Sequence, residues 1–253
     1  MIESGGVPVD AAWAFDAADG SGVRVAVVDS GVDHTHPAAV GPSADGAALA
    51  WNRDARAVVV TEGAHRDLFG HGTACAAIIR RVAPACEITS VRVLGERLSG
   101  KGEVFAGGLR WALAAGVQVI NLSLSTNKPD LFGVFHAIAD EAAHAGVVLV
   151  CAMNNVPAES YPSQFGSVIS VAATTGGDPF TFLANPRPPA DFGAPGIDLE
   201  VAWLDATTIK VTGNSFAAPH ISGLVARLLS KHRGLTPYQV KSVLRSVARN
   251  VTD

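Results

Sequence analysis

Apolar residues in this chain fall into short β-branched runs separated by longer stretches with helical spacing. Val23-Arg24-Val25-Ala26-Val27-Val28 is the first such run, nearly continuous in apolar character, as expected of a strand buried on both faces of a parallel sheet. Ala11 to Ala18 before it reads as a short helix. Further strands are expected over Ala57 to Thr61, Glu87 to Val93, Val117 to Ser123, Val147 to Ala152 and Val168 to Ala172. Helical spacing covers Glu103 to Ala115 and Phe132 to Ala145, the second stopped by Gly146. Leu199 to Trp203 and Thr207 to Val211 read as a hairpin. It leads into helices over Asn214 to Lys231 and Pro237 to Arg249, with Thr236 as N-cap of the last. Apart from Ala57 to Thr61, residues 38 to 66 are polar and irregular, and no further element is expected there. The β-α-β-α-β alternation, with right-handed crossovers, predicts a three-layer α/β/α fold around a mostly parallel central sheet.

Composition narrows the class. With 253 residues and 48% hydrophobic content, the chain can bury one large core, so residues 1–253 are read as a single domain. The net charge is −4 and the 19 Lys and Arg residues are dispersed, which argues against nucleic acid and against a membrane surface as partners. Met1 to Gly6 has no basic or apolar leader character, and no apolar stretch is long enough to span a bilayer. Cys75, Cys86 and Cys151 are odd in number and lack metal-type spacing. A cytoplasmic protein with reduced thiols, no metal and no cofactor is the expectation.

Three short motifs carry candidate chemistry. The first strand runs into Asp29-Ser30-Gly31-Val32-Asp33, which puts a carboxylate at the C-terminal end of a buried strand, where open α/β sheets build their sites. An Asp that merely starts a turn would read the same way. Gly70-His71-Gly72-Thr73 opens a helix of small and apolar residues that must be buried, and its dipole is expected to disfavour a protonated His71. A structural histidine is the alternative. Gly213-Asn214-Ser215-Phe216-Ala217-Ala218-Pro219-His220 puts a serine at a helix start, as a cap or as a nucleophile beside free N–H groups. Taken together, Ser215, His71 and Asp29 supply a nucleophile, a base and an orienting carboxylate, and Asn154 supplies an amide donor at the same sheet edge.

These three motifs, in the order Asp, His, Ser, resemble those of the subtilisin-like serine proteases, the subtilases. The likeness continues through His36-Pro37, Val82-Ala83-Pro84, Ser90 to Leu94, Val119 to Leu124 and Tyr161-Pro162, and so covers nearly the whole chain. It implies a serine endopeptidase acting on a peptide or protein substrate through an acyl-enzyme. In that reading Ser215 is the nucleophile, His71 the base and then acid, Asp29 the orienting carboxylate and Asn154 the oxyanion donor. The resemblance further implies that Ser123, Leu124 and Ser125 form a substrate-pairing edge faced by Leu98 to Gly102.

Departures from the family pattern set the remaining expectations. Subtilases commonly carry Thr and Met on either side of the serine, where this chain has Asn214 and Phe216; the phenyl ring is expected to crowd the leaving-group side. Met153 stands where Gly is usual before the oxyanion Asn, and Ser160 where Gly often floors the pocket for the residue before the scissile bond, P1. Both imply a small P1 pocket and restricted specificity, suited to peptide or precursor maturation. Only Arg80 and Arg81 separate the His71 helix from Val82-Ala83-Pro84, leaving no residues for the calcium loop of many secreted members. No prosegment is evident. The alternative is a pseudoprotease, a catalytically impaired scaffold that binds peptides or assembles with partners.

Overall fold

The alternation becomes a nine-stranded sheet in the computed structural model, which describes residues 9–156 and 158–251. The strands are Arg24–Asp29 (β1), Ser43–Asn52 (β2), Ala57–Glu62 (β3), Glu87–Arg92 (β4), Val119–Leu122 (β5), Val148–Ala152 (β6), Ile169–Thr174 (β7), Leu183–Ala184 (β8) and Phe192–Pro195 (β9). They lie in the order β3-β2-β4-β1-β5-β6-β7-β9-β8, all parallel except the two edges, β3 and β8. Leu199–Trp203 (β10) and Thr207–Val211 (β11) form the separate antiparallel hairpin, with the bounds read from the sequence. The helices are Ala11–Phe15 (α1), His71–Val82 (α2), Gly102–Ala114 (α3), Phe132–His144 (α4), Asn214–Lys231 (α5) and Pro237–Ser246 (α6). Among the described residues no helix is long and apolar enough to cross a membrane.

Alternation along the strands decides which helix meets which face. Val25 and Val27 of β1, Val119 of β5 and Val148 and Val150 of β6 pack with α2 and α5 in one core. Ala26 and Val28, Ile120 and Leu122, and Leu149 and Cys151 pack with α3 and α4 in the other. The three-layer α/β/α expectation therefore holds, and the strict period of two has a functional result. Odd-numbered positions of β1 and β5 face α2 and α5, so Asp29, Asn121 and Ser123 follow their apolar neighbours onto that face.

Two expectations are corrected. Residues 43–52, read as irregular, are the ten-residue β2, paired antiparallel to β3 and parallel to β4. Its sequence, Ser-Ala-Asp-Gly-Ala-Ala-Leu-Ala-Trp-Asn, has no β-branched residue and so gives no local strand signal. Pairing with β4 and burial of Ala47 and Leu49 under α3 hold it in the sheet, across a register shift between Ala44 and Ala47. The short β8 and β9 were likewise not read, lying among Gly and Pro residues. The last helix ends at Ser246 rather than Arg249. Its start is as expected, with Thr236 and Gln239 in a reciprocal capping box.

Candidate active site

The chain enters β2 and β4 on one side of β1 and then crosses to β5 on the other, so the crevice at a switch in strand order opens beyond Asp29. Asp29, the last residue of β1, is fully buried. Its two carboxylate oxygens accept from His71 Nδ1 at 2.8 and 2.9 Å, and one also accepts from the Ser30 N–H at 2.7 Å. Burial alone would push the His71 pKa down, but the Asp29 carboxylate outweighs it and holds the imidazole well above its ordinary value. The helix dipole, expected to disfavour a protonated His71, is outweighed here by a carboxylate in direct contact.

His71 is the first residue of α2, and the turn before it is built by an aspartate that sequence reasoning passed over. Asp67 is buried, and its carboxylate accepts from the N–H groups of Phe69, Gly70 and Thr73 and from the hydroxyls of Ser30 and Thr73. Ser30 Oγ in turn accepts the Gly72 N–H at 3.0 Å. Asp67 thus neutralises the free donors at the start of α2 and ties them to the end of β1, fixing His71 against Asp29. Gly72 permits this approach, since a Cβ there would lie 1.9 Å from the Gly31 carbonyl oxygen. The available signal was the spacing, an Asp four residues before a Gly-flanked His.

Ser215 is the second residue of α5, so its N–H has no acceptor within the helix. Pro219, four residues on, has no N–H to offer the Ser215 carbonyl. Ser123 takes its place, donating from Oγ to that carbonyl at 2.7 Å. Asn121 donates to Ser123 Oγ at 3.0 Å, and Ser222 of α5 donates to Asn121 Oδ1 at 2.8 Å, so β5 and α5 are joined through a continuous buried network. Cys75, one turn along α2, lies 3.2 Å from Ser123 Oγ. Burial pushes its thiol pKa up, so it stays protonated and fills space beneath the pair.

Ser215, His71, Ser123, Leu124, Ser125, Met153, Asn154 and Leu98 line a single cleft of about 160 Å³. His71 and Ser215 share it without a direct hydrogen bond, a contact that in hydrolases tightens when substrate arrives. Asn154 follows β6 by two residues. Its Oδ1 accepts the Val156 N–H at 3.2 Å, and its amide nitrogen takes no protein partner among the described residues. Leu98 to Gly102 faces Ser123 to Thr126 across an adjoining cavity of about 340 Å³. Two expectations fail here. Ser160 is fully buried and its hydroxyl pairs with Ser163 rather than facing the cleft. Phe216 turns from the cleft into a small core with Ala74, Ile78 and Val201, its ring 5.1 Å from that of His71.

A buried carboxylate paired with an imidazole, a serine at a helix start in the same cleft and a free amide beside it are the parts of an acyl-transfer site. Comparison with known proteins gives the same picture. The sequence model of the subtilase family matches residues 20–253. Subtilisin E of Bacillus subtilis is 30% identical over 244 residues, 90% of this chain, which spans 61% of that protein's length. Thermitase of Thermoactinomyces vulgaris is 30% identical over 257 residues, covering 97% of this chain and 86% of thermitase. The crystal structure of a cold-adapted subtilisin-like serine proteinase superposes with a TM-score of 0.73 at 26% identity, covering 94% of this chain and 86% of the other.

Proposed function

The chain belongs to the subtilase family, and on that premise we propose that it is a serine endopeptidase of restricted specificity, hydrolysing a peptide or protein substrate through an acyl-enzyme. The observation that carries this reading is the contact of His71 Nδ1 with both Asp29 oxygens in the cleft that Ser215 lines. In this mechanism the Ser215 hydroxyl attacks the scissile carbonyl carbon while His71 Nε2 takes its proton. Asp29 holds the resulting imidazolium, whose formation the raised pKa favours. The new oxyanion accepts from the Asn154 side chain and the Ser215 N–H. His71 then returns the proton to the leaving amine, and a water repeats the sequence on the acyl-enzyme.

Restricted specificity is supported by Met153, which lines the cleft where subtilases usually carry glycine. Three free, buried cysteines suit the cytoplasmic setting that completes this reading. The intact Asp29–His71 pair and the free Asn154 amide give the pseudoprotease alternative no support. A fluorophosphonate probe is expected to label the wild type and not Ser215→Ala; an unlabelled wild type at pH 8 defeats the reading. A P1 peptide library is expected to show preference for small residues, and a preference for Phe or Tyr removes the specificity claim.

A further inference from the structure

Asn214, which stands where subtilases commonly carry Thr, donates more side-chain hydrogen bonds than any threonine can. Its Oδ1 accepts the Ala173 N–H at 2.8 Å, and its Nδ2 donates to the carbonyls of Met153 at 3.2 Å and Asn154 at 3.0 Å. A hydroxyl has one hydrogen to donate and does not span two successive carbonyls. The contact is returned from the other side, where Asn155 Oδ1 accepts the Asn214 N–H at 2.9 Å and so caps the start of α5. Met153 is also fixed to β7 through its N–H and the Val171 carbonyl at 2.9 Å. The turn carrying Asn154 is thus bound on both sides to the residue that precedes Ser215.

From this we infer that Asn214 and Asn155 are positioning residues that hold the Asn154 amide at a fixed reach from Ser215. The inference rests on the endopeptidase reading. Catalysis by an oxyanion donor depends on its aim at the transition-state oxygen, and a loop leaving a strand has no such aim unless its carbonyls are tied down. Asn214 ties two of them, including that of Asn154 itself. The departure beside the nucleophile is therefore part of the apparatus that orients the oxyanion donor. Asn214 does not line the cleft, and both hydrogens of its amide are already donated to the Met153 and Asn154 carbonyls, so it acts through Asn154 and not on substrate.

The test is a double-mutant cycle on a chromogenic peptide substrate, with Asn214→Ala, Asn214→Asp and Asn155→Ala made alone and on Asn154→Ala. Asn214→Ala is expected to lower kcat about tenfold to thirtyfold with KM changed less than about twofold, the split that marks an interaction realised in the transition state. Affinity for a peptide aldehyde should fall in parallel, and affinity for the product peptide should not. On the Asn154→Ala background the same substitution should cost less than about twofold, because there is no amide left to aim. Asn214→Asp keeps the acceptor for Ala173 but sets a carboxylate against two carbonyls, and should lose at least as much as Ala. Undiminished loss on the Asn154→Ala background, or a raised KM with kcat retained, overturns the clamp while leaving the endopeptidase reading intact. Asn155→Ala, which removes a single hydrogen bond, gives the same discrimination if the Asn214 variants do not fold. A parent without turnover overturns both.

Discussion

His71 and His220 lie on neighbouring packed helices, α2 and α5, and are almost equally hidden, 5% and 3% exposed. Their proton affinities move in opposite directions. Burial pushes the pKa of His220 down to about 4, relieved only in part by the Pro179 carbonyl and Asp178, with Arg81 adding to the depression. Among the described residues no carboxylate or other side chain is within hydrogen-bonding distance of either ring nitrogen, and the Pro179 carbonyl is only a weak neighbour. At His71 the same burial is overcome by a carboxylate at 2.8 Å. A buried imidazole becomes a base only through what stands opposite it, and what stands opposite His71 is set by the strand register that turns Asp29 toward α2.

The largest test removes the pair outright. His71→Ala or Ser215→Ala should lower kcat about a millionfold, the size that loss of the corresponding pair has in subtilisin. A residual rate within a hundredfold of the parent would separate this site from its relatives. Asp29→Asn comes next, at about ten-thousandfold on the same precedent, and it should also move the acid limb of kcat/KM. With Asp29 present, His71 is protonated up to a pKa well above 6.5, so activity is lost as pH falls through that raised value. Without the carboxylate the limb should shift to lower pH. An unmoved limb would show that Asp29 does not set the pKa of His71.

His220 should act on stability with the opposite sign. Its folded pKa lies below the unfolded value of 6.5, so between pH 6.5 and about 4 the unfolded chain takes up a proton that the folded chain refuses. Stability should therefore fall as pH drops through that window, by about 3 kcal/mol in full. His71 works in reverse, stabilising the fold below pH 6.5 and losing that contribution as pH rises through its raised pKa. His220→Leu should narrow the difference in Tm between pH 7 and pH 4.5; an unchanged difference would break the contrast. The smallest effect concerns the thiols beside these helices. Cys75 and Cys151 are fully buried with pKa values pushed up, and Cys86 is pushed to about 11, so iodoacetamide should label none of them before unfolding.

Legibility in the sequence followed the length scale of the interaction involved. The β10–β11 hairpin and α5 could be read to the residue, because periodicity and punctuation are local. The positions of Asp29, His71, Ser215 and Asn154 at one sheet edge were legible because each follows a strand or opens a helix. β2 was not, since alanines become a strand only when β4 and α3 cover them. Asp67 escaped notice because its hydrogen bonds reach back to Ser30 and forward to Thr73 through a turn of no regular period. Ser160 and Phe216 were misread because a motif gives a position but not the direction of a side chain.

Pro219 carries one more consequence. By leaving the Ser215 carbonyl to Ser123, it transfers the first turn of α5 from the helix to the end of β5. The residue proposed as nucleophile is thus tied to the sheet as well as to its helix. Its backbone is thereby anchored in two layers at once, by the helix that contains it and by the sheet beneath it.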